Sequence, residues 1–214
     1  MSEAVNITSL RKKGRRFAAE VSGGGYTHEK VLFHADAVVV FGLSAGMAFP
    51  EERWAEIIRE NDFKLAWERA LRILSSGDCD SRGLRRKLLG KGFSAESAER
   101  VAAEASRLRL IDDGAFLKRK AEACLARGYG RLKALSKLLQ GGTPKEDADA
   151  VLDAVYADDL EFEAAETAAR RKMASLQRAG GDGRGNRAKL SRHLAGKGFS
   201  YEIVSRVLES IAGG

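Results

Sequence analysis

The hydrophobic and polar positions change texture once along the chain. Within the first fifty residues, Asn6 to Leu10, Arg16 to Val21 and Val31 to Phe33 are short apolar-rich runs, separated by the basic turn Arg11-Lys12-Lys13-Gly14 and by Gly23-Gly24-Gly25. Runs of this length between glycine-marked turns predict a small β-hairpin module. The stretch His34 to Phe41 fits either a continued strand or a short helix, because an unbroken apolar run carries no periodicity to decide between them. From Pro50 the spacing becomes helical. Trp54, Ile57, Ile58, Leu65, Trp67, Leu71 and Leu74 predict one or two amphipathic helices ending before Ser75-Ser76-Gly77. Pro50 suits a first helical turn, and Glu51 and Glu52 lie where the helix dipole favours a negative charge. These apolar stripes read as core.

An internal repeat organises the remainder. Leu84 to Ala105, Ala134 to Val155 and Leu190 to Ile211 align without gaps. Their anchors are Leu88-Leu89-Gly90-Lys91-Gly92-Phe93, Leu138-Leu139-Gln140-Gly141-Gly142-Thr143 and Leu194-Ala195-Gly196-Lys197-Gly198-Phe199. After each anchor comes one apolar register: Ala98, Val101, Ala102, Ala105; Ala148, Val151, Leu152, Val155; Val204, Val207, Leu208, Ile211. That spacing places four residues on one helix face. The unit therefore reads helix, glycine-terminated turn, helix, with Gly92, Gly142 and Gly198 where a left-handed residue closes a helix. Thr143-Pro144-Lys145-Glu146 reads as a capping box with proline at the first helical position; Ser94 and Ser200 stand one residue later in the other repeats. Helices over Phe116 to Arg127 and Leu160 to Leu176 complete the units, and Ala179 to Gly185 reads as a linker before the last. The expected fold is mainly α: tandem three-helix repeats in an elongated array, preceded by a small β-containing module. The boundaries fall at 1–49, 50–112, 113–158 and 159–214.

Composition narrows the function. Two prolines among 214 residues suit a chain spent in helix. Two cysteines, Cys79 and Cys124, make no disulfide framework or paired metal motif, and the three histidines are scattered, so no metal, cofactor or catalytic residue is expected. With no leader-like or membrane-spanning run, the reading is a cytoplasmic protein. The formal net charge is +7, and its distribution matters more than its sum. Residues 1–77 carry net +1, 78–140 net +7, 141–166 net −8 and 167–214 net +7. An acidic block between two basic ones would repel phosphates at close range, which disfavours a uniform polyanion-binding stripe. A partner of mixed charge fits better.

The basic candidates for partner contact are Arg82, Arg85, Arg86, Lys87 and Lys91 in the first repeat; Lys118, Arg119, Arg127, Arg131 and Lys133 in the second; and Arg187, Lys189, Arg192 and Lys197 in the third. They form either the ordinary solvated faces of helices or a docking surface. Recurrence in repeats one and three favours docking. Tyr129, between Gly128 and Gly130, either wedges a helix junction or touches a partner. Asp112 and Asp113 at a helix start read as caps rather than as the metal-binding pair of a nuclease. The stretch from Ala179 to Gly185 lacks the Gly-Lys-Ser/Thr ending of a phosphate loop.

The chain resembles the RecX family, bacterial regulators of the RecA recombinase, over essentially its whole length. The resemblance rests on Leu84 to Phe93, on Leu110-Ile111-Asp112-Asp113-Gly114-Ala115-Phe116, on Gly128-Tyr129-Gly130 leading to Leu138, and on His193 to Phe199. The departures include Asp80-Ser81-Arg82-Gly83-Leu84, where Asp80 keeps the cap while Gly83 replaces the family's reciprocal glutamate. The resemblance implies a non-enzymatic monomer that lies along a RecA filament on single-stranded DNA. It implies suppression of RecA ATP hydrolysis, strand exchange and co-protease activity in recombination and the SOS response. Weak direct DNA binding by the helical repeats is the alternative; the low aromatic content, 7%, offers little for base stacking.

Overall fold

The structure, a computed structural model, describes residues 4–178 and 183–212. The chain divides into two compact units, 1–112 and 113–214. The first opens with an antiparallel sheet of β1 (Val5–Lys13), β2 (Arg16–Gly23), β3 (Tyr26–His34) and β4 (Ala48–Phe49), in the order β3-β2-β1-β4. Val5 and Ile7 are buried while Asn6 and Thr8 are exposed, the alternation of a half-buried strand. The strands outrun their apolar segments. Arg11, Lys12 and Lys13, expected in a turn, instead pair with Ala18, Phe17 and Arg16. Ladder hydrogen bonds continue past the core because long charged side chains are solvated at the ribbon's far end.

The ambiguous stretch after His34 forms a helix, α1 (Ala35–Val40), with His34 Nδ1 accepting from the Asp36 N–H at 3.1 Å. A single helix follows, α2 (Glu51–Ser75), with Pro50 as the extended residue just ahead of it rather than inside its first turn. The first half of α2 places Trp54 and Ile57 under the sheet with Val21, Phe33 and Ala37. The second half turns Ala66, Ala70 and Ile73 into a second core with α3 (Ser81–Leu89) and α4 (Ala95–Arg107). Asn61, buried between these halves, donates to the Leu32 carbonyl at 2.9 Å and accepts from the His34 N–H at 2.8 Å. Its amide thereby satisfies two groups of edge strand β3 and fixes α2 to the sheet.

The second unit holds α5 (Asp113–Ala126), α6 (Arg131–Gln140), α7 (Lys145–Val155), α8 (Asp158–Arg178), α9 (Gly183–Gly196) and α10 (Tyr201–Ala212). Helices α5 to α7 share a core of Ala121, Ala134, Leu138, Ala148 and Leu152. Helices α8 to α10 share one of Ala165, Leu190, Leu194, Val204 and Val207. Most of the linker region, 179–182, lies outside the described residues; Gly183-Arg184-Gly185 already belongs to α9.

The repeat turns are built alike. Gly92, Gly142 and Gly198 have φ of 87°, 88° and 85°, and the next residue's N–H reaches back to Leu88, Leu138 or Leu194 at 3.3, 3.1 and 3.3 Å. This is the hydrogen-bond closure expected of a left-handed helix end. The second helices also begin at equivalent positions. Ser94 Oγ accepts from the Ser97 N–H at 3.1 Å and Ser200 Oγ from the Ile203 N–H at 3.2 Å. In the middle repeat Pro144 holds that boundary with no side-chain cap. Thr143 is therefore not the cap of a capping box. It is buried in the slot that Phe199 fills in the last repeat, and a side chain packed inward cannot also cap.

Candidate partner-binding surfaces

In the first unit, Asp80 caps α3 by accepting the Gly83 N–H at 3.0 Å. This aligns the basic face of the helix. Arg86, Lys87 and Lys91 are exposed, while Arg85 is half-buried in an ion pair with Glu99 of α4 at 2.7 Å. Lys87 lies beside the Cys79 thiol, which burial pushes above its usual range. Arg82 belongs to the same face and lines a shallow cleft with Arg85 and Glu99.

The second-unit candidates divide by duty. Arg131 pairs with Asp149 at 3.1 Å and Asp153 at 2.5 Å, so it binds α6 to α7. Arg187 donates to the Leu208 carbonyl at 3.2 Å, and Arg192 to the Ala188 carbonyl at 3.4 Å. Lys118 approaches Glu122 at 4.0 Å; Arg119, Arg127 and Lys189 are exposed. Asp112 immediately precedes α5 and Asp113 opens it; among the described residues no group of three or more His, Cys, Asp or Glu side chains could hold a metal ion.

Lys133 and Lys197 seal a junction between the second and third repeats. Lys133 donates to the Gly196 carbonyl and Lys197 to the Gly128 carbonyl, each at 3.2 Å. The Gly130 N–H donates to the Lys197 carbonyl at 2.9 Å and the Leu132 N–H to the Gly198 carbonyl at 3.1 Å. A Cβ on Gly130 would stand 2.3 Å from the Gly198 carbonyl oxygen, and one on Gly198 2.4 Å from Lys133 Cβ. Only glycine permits this approach of two backbones. Tyr129 sits at the same seam: ammonium groups of Lys133, Lys137 and Lys197 lie 5.0, 5.2 and 5.5 Å from its ring centroid. Its carbonyl accepts from the Tyr156 hydroxyl at 3.0 Å. A second link comes from α8, where the buried Glu161 carboxylate accepts the Arg131 N–H at 2.8 Å. Burial holds that carboxyl above its usual range.

Beside this seam opens a cleft of about 520 Å³, lined by the end of α5, by α8 and by α9. Arg127 and Lys197 were recognisable in the sequence, but Arg171, Lys172 and His193, which join them, were not. The tandem Arg170-Arg171-Lys172 was the available signal, and its position within a bridging helix gave no reason to single it out. His193 is held below its usual range by burial, then by Lys197 and Lys172. The local potential is therefore positive.

Three glycine-hinged helical units, with basic faces on the first and last, define a helical-repeat protein with a small sheet module. A family model described as "RecX, third three-helix domain" matches residues 159–208. The regulatory protein RecX of Chlorobaculum tepidum is 31% identical over 153 residues, 69% of this chain and 89% of that protein. That of Caldanaerobacter subterraneus subsp. tengcongensis is 24% identical over 200 residues, 92% and 94% of the two chains. A crystal structure of regulatory protein RecX superposes with a TM-score of 0.70 at 20% identity, covering 96% of this chain and 99% of that one. RecX from Lactobacillus salivarius has a TM-score of 0.65 at 19% identity, covering 72% and 98%. The chain belongs to the RecX family. No helix among the described residues is long and apolar enough to cross a membrane.

Proposed function

We propose that this protein regulates RecA by docking, as a cytoplasmic monomer, on the RecA filament assembled on single-stranded DNA. Docking restrains ATP hydrolysis, strand exchange and co-protease activity. In this reading the β module (1–49) and the three helical units (50–112, 113–158, 159–214) each bring contacts of their own to the filament. The observation that carries it is family membership combined with exposed basic side chains on a firmly capped helix, Arg86, Lys87 and Lys91. Several weak polar contacts along a filament add through effective concentration. Arg82, Arg85, Lys118, Arg119, Arg127, Arg187, Lys189 and Arg192 extend the proposed contact set, while Arg131, Lys133 and Lys197 support it from within.

The test is RecA ATPase and strand exchange at salt high enough to suppress binding to naked DNA. Inhibition is expected to persist there, and the combined reversal Arg86→Glu, Lys87→Glu, Lys91→Glu should abolish most of it without changing helix content. If inhibition vanishes in step with naked-DNA binding, the protein is a DNA binder and not a filament-docking regulator.

A further inference from the structure

The cleft beside the repeat junction joins two kinds of surface. Its floor is aliphatic, with Leu125, Ala164 and Ala168, and its rim carries Arg127, Arg171, Lys172 and Lys197 against the single carboxylate Glu163. Among the described residues, no carboxylate pairs with Arg171 or Lys172. Arg171 and Lys172, without a carboxylate partner and beside an apolar floor, favour an anionic ligand with an apolar part. No Phe, Tyr or Trp lines the cleft, whose one ring is the small His193 imidazole, so a nucleobase would find little stacking surface. The volume, about 520 Å³, suits a few side chains of a peptide.

We propose that this cleft accepts an acidic peptide segment of the protein partner, with one aliphatic side chain on the Ala164 and Ala168 floor and flanking carboxylates on Arg171, Lys172 and Arg127. The site rests on the reading of the partner as a protein filament and gives that reading a chemical address. Arginine offers a bidentate fork to a carboxylate and Lys172 a point charge, so the two adjacent residues hold successive acidic positions. Ala164 and Ala168, one helical turn apart on α8, leave space over that face for a leucine-sized side chain.

The test is a titration of the full chain with an acetylated, amidated pentapeptide, a central leucine between two pairs of aspartates, followed through the His193 ring protons and the Thr167 amide. Saturable shifts at both are expected. Exchanging the central leucine for glycine should weaken binding severalfold, and the double reversal Arg171→Glu, Lys172→Glu by about tenfold or more, since each lost charge-assisted contact is worth a sizeable part of a decade. Circular dichroism and a thermal melt establish that the double variant is folded. No saturable shift, or equal affinity for the folded double variant, overturns the proposal. Displacement of the peptide by an equimolar oligothymidylate at near-physiological salt also overturns it, in favour of a nucleic-acid site. RecA ATPase inhibition is measured in parallel. If the double variant still inhibits fully, the cleft falls and the regulator stands; if the wild type does not inhibit, the regulator falls while the titration still decides the cleft.

Discussion

Gly90-Lys91-Gly92-Phe93 and Gly196-Lys197-Gly198-Phe199 are the same tetrapeptide in two repeats, and the same backbone turn. Their surroundings differ. A Cβ on Gly92 would meet nothing within 4 Å, whereas one on Gly198 would strike the backbone and side chain of Lys133. Lys91 is exposed; Lys197 donates to Gly128 and covers Tyr129. One turn is offered to solvent and the other has become the joint between two units. Identical local sequence therefore specifies identical local geometry without specifying its duty, which is set by the element that lies against it.

The sharpest way to break this comparison is glycine replacement. Gly92→Ala should cost about 1–2 kcal/mol for the left-handed conformation alone. Gly198→Ala adds a steric collision and should cost about 2–5 kcal/mol, combining that strain with overpacking. Urea unfolding of the full chain, with hydrogen exchange at residues 130–134 as a local readout, measures both. Equal losses would remove the distinction.

The next effect tests the second link across the joint. Glu161→Ala leaves the Arg131 N–H without its acceptor and should cost about 1–3 kcal/mol. The same carboxyl has a raised folded value, caused first by burial. Its contribution is full below the ordinary glutamate range and is lost as pH rises through the raised value. Glu161→Gln keeps an acceptor without a charge, so its stability should exceed that of the wild type increasingly as pH rises through this window. Parallel stability–pH curves for the two proteins would contradict the assignment.

The smallest effect compares the two lysines. Lys197→Met should lose about 1–2 kcal/mol through its hydrogen bond and ring contact. Lys91→Met should stay within about 0.5 kcal/mol, as exposed positions do, and should instead weaken RecA inhibition. A stable Lys197→Met protein beside an unstable Lys91→Met protein would invert the comparison.

Much of this was legible in the chain. The i, i+3, i+4, i+7 registers located the buried faces: Ala98, Val101, Ala102, Ala105, Ala148, Leu152, Val204 and Val207 are all buried. The glycines marked the left-handed turns. The strand ends and the capping of α7 were misjudged by a few residues, because backbone pairing outran the apolar run at Lys13 and because Thr143 went into the core instead of the cap.

What the sequence determined by itself was whatever depends on neighbours within a turn or two: helix registers, glycine turns, the caps Asp80 and Ser94, and the segregation of charge. Tertiary structure alone decided that α2 would serve two cores, that Arg131, Lys133 and Lys197 would work inside the molecule, and that Arg171 and Lys172 would meet His193 in one cleft. Those outcomes depend on groups far apart in the chain, such as Gly130 against Gly198. Periodicity reports which face of a helix is apolar, but it carries no information about which distant backbone will come to rest against a basic side chain.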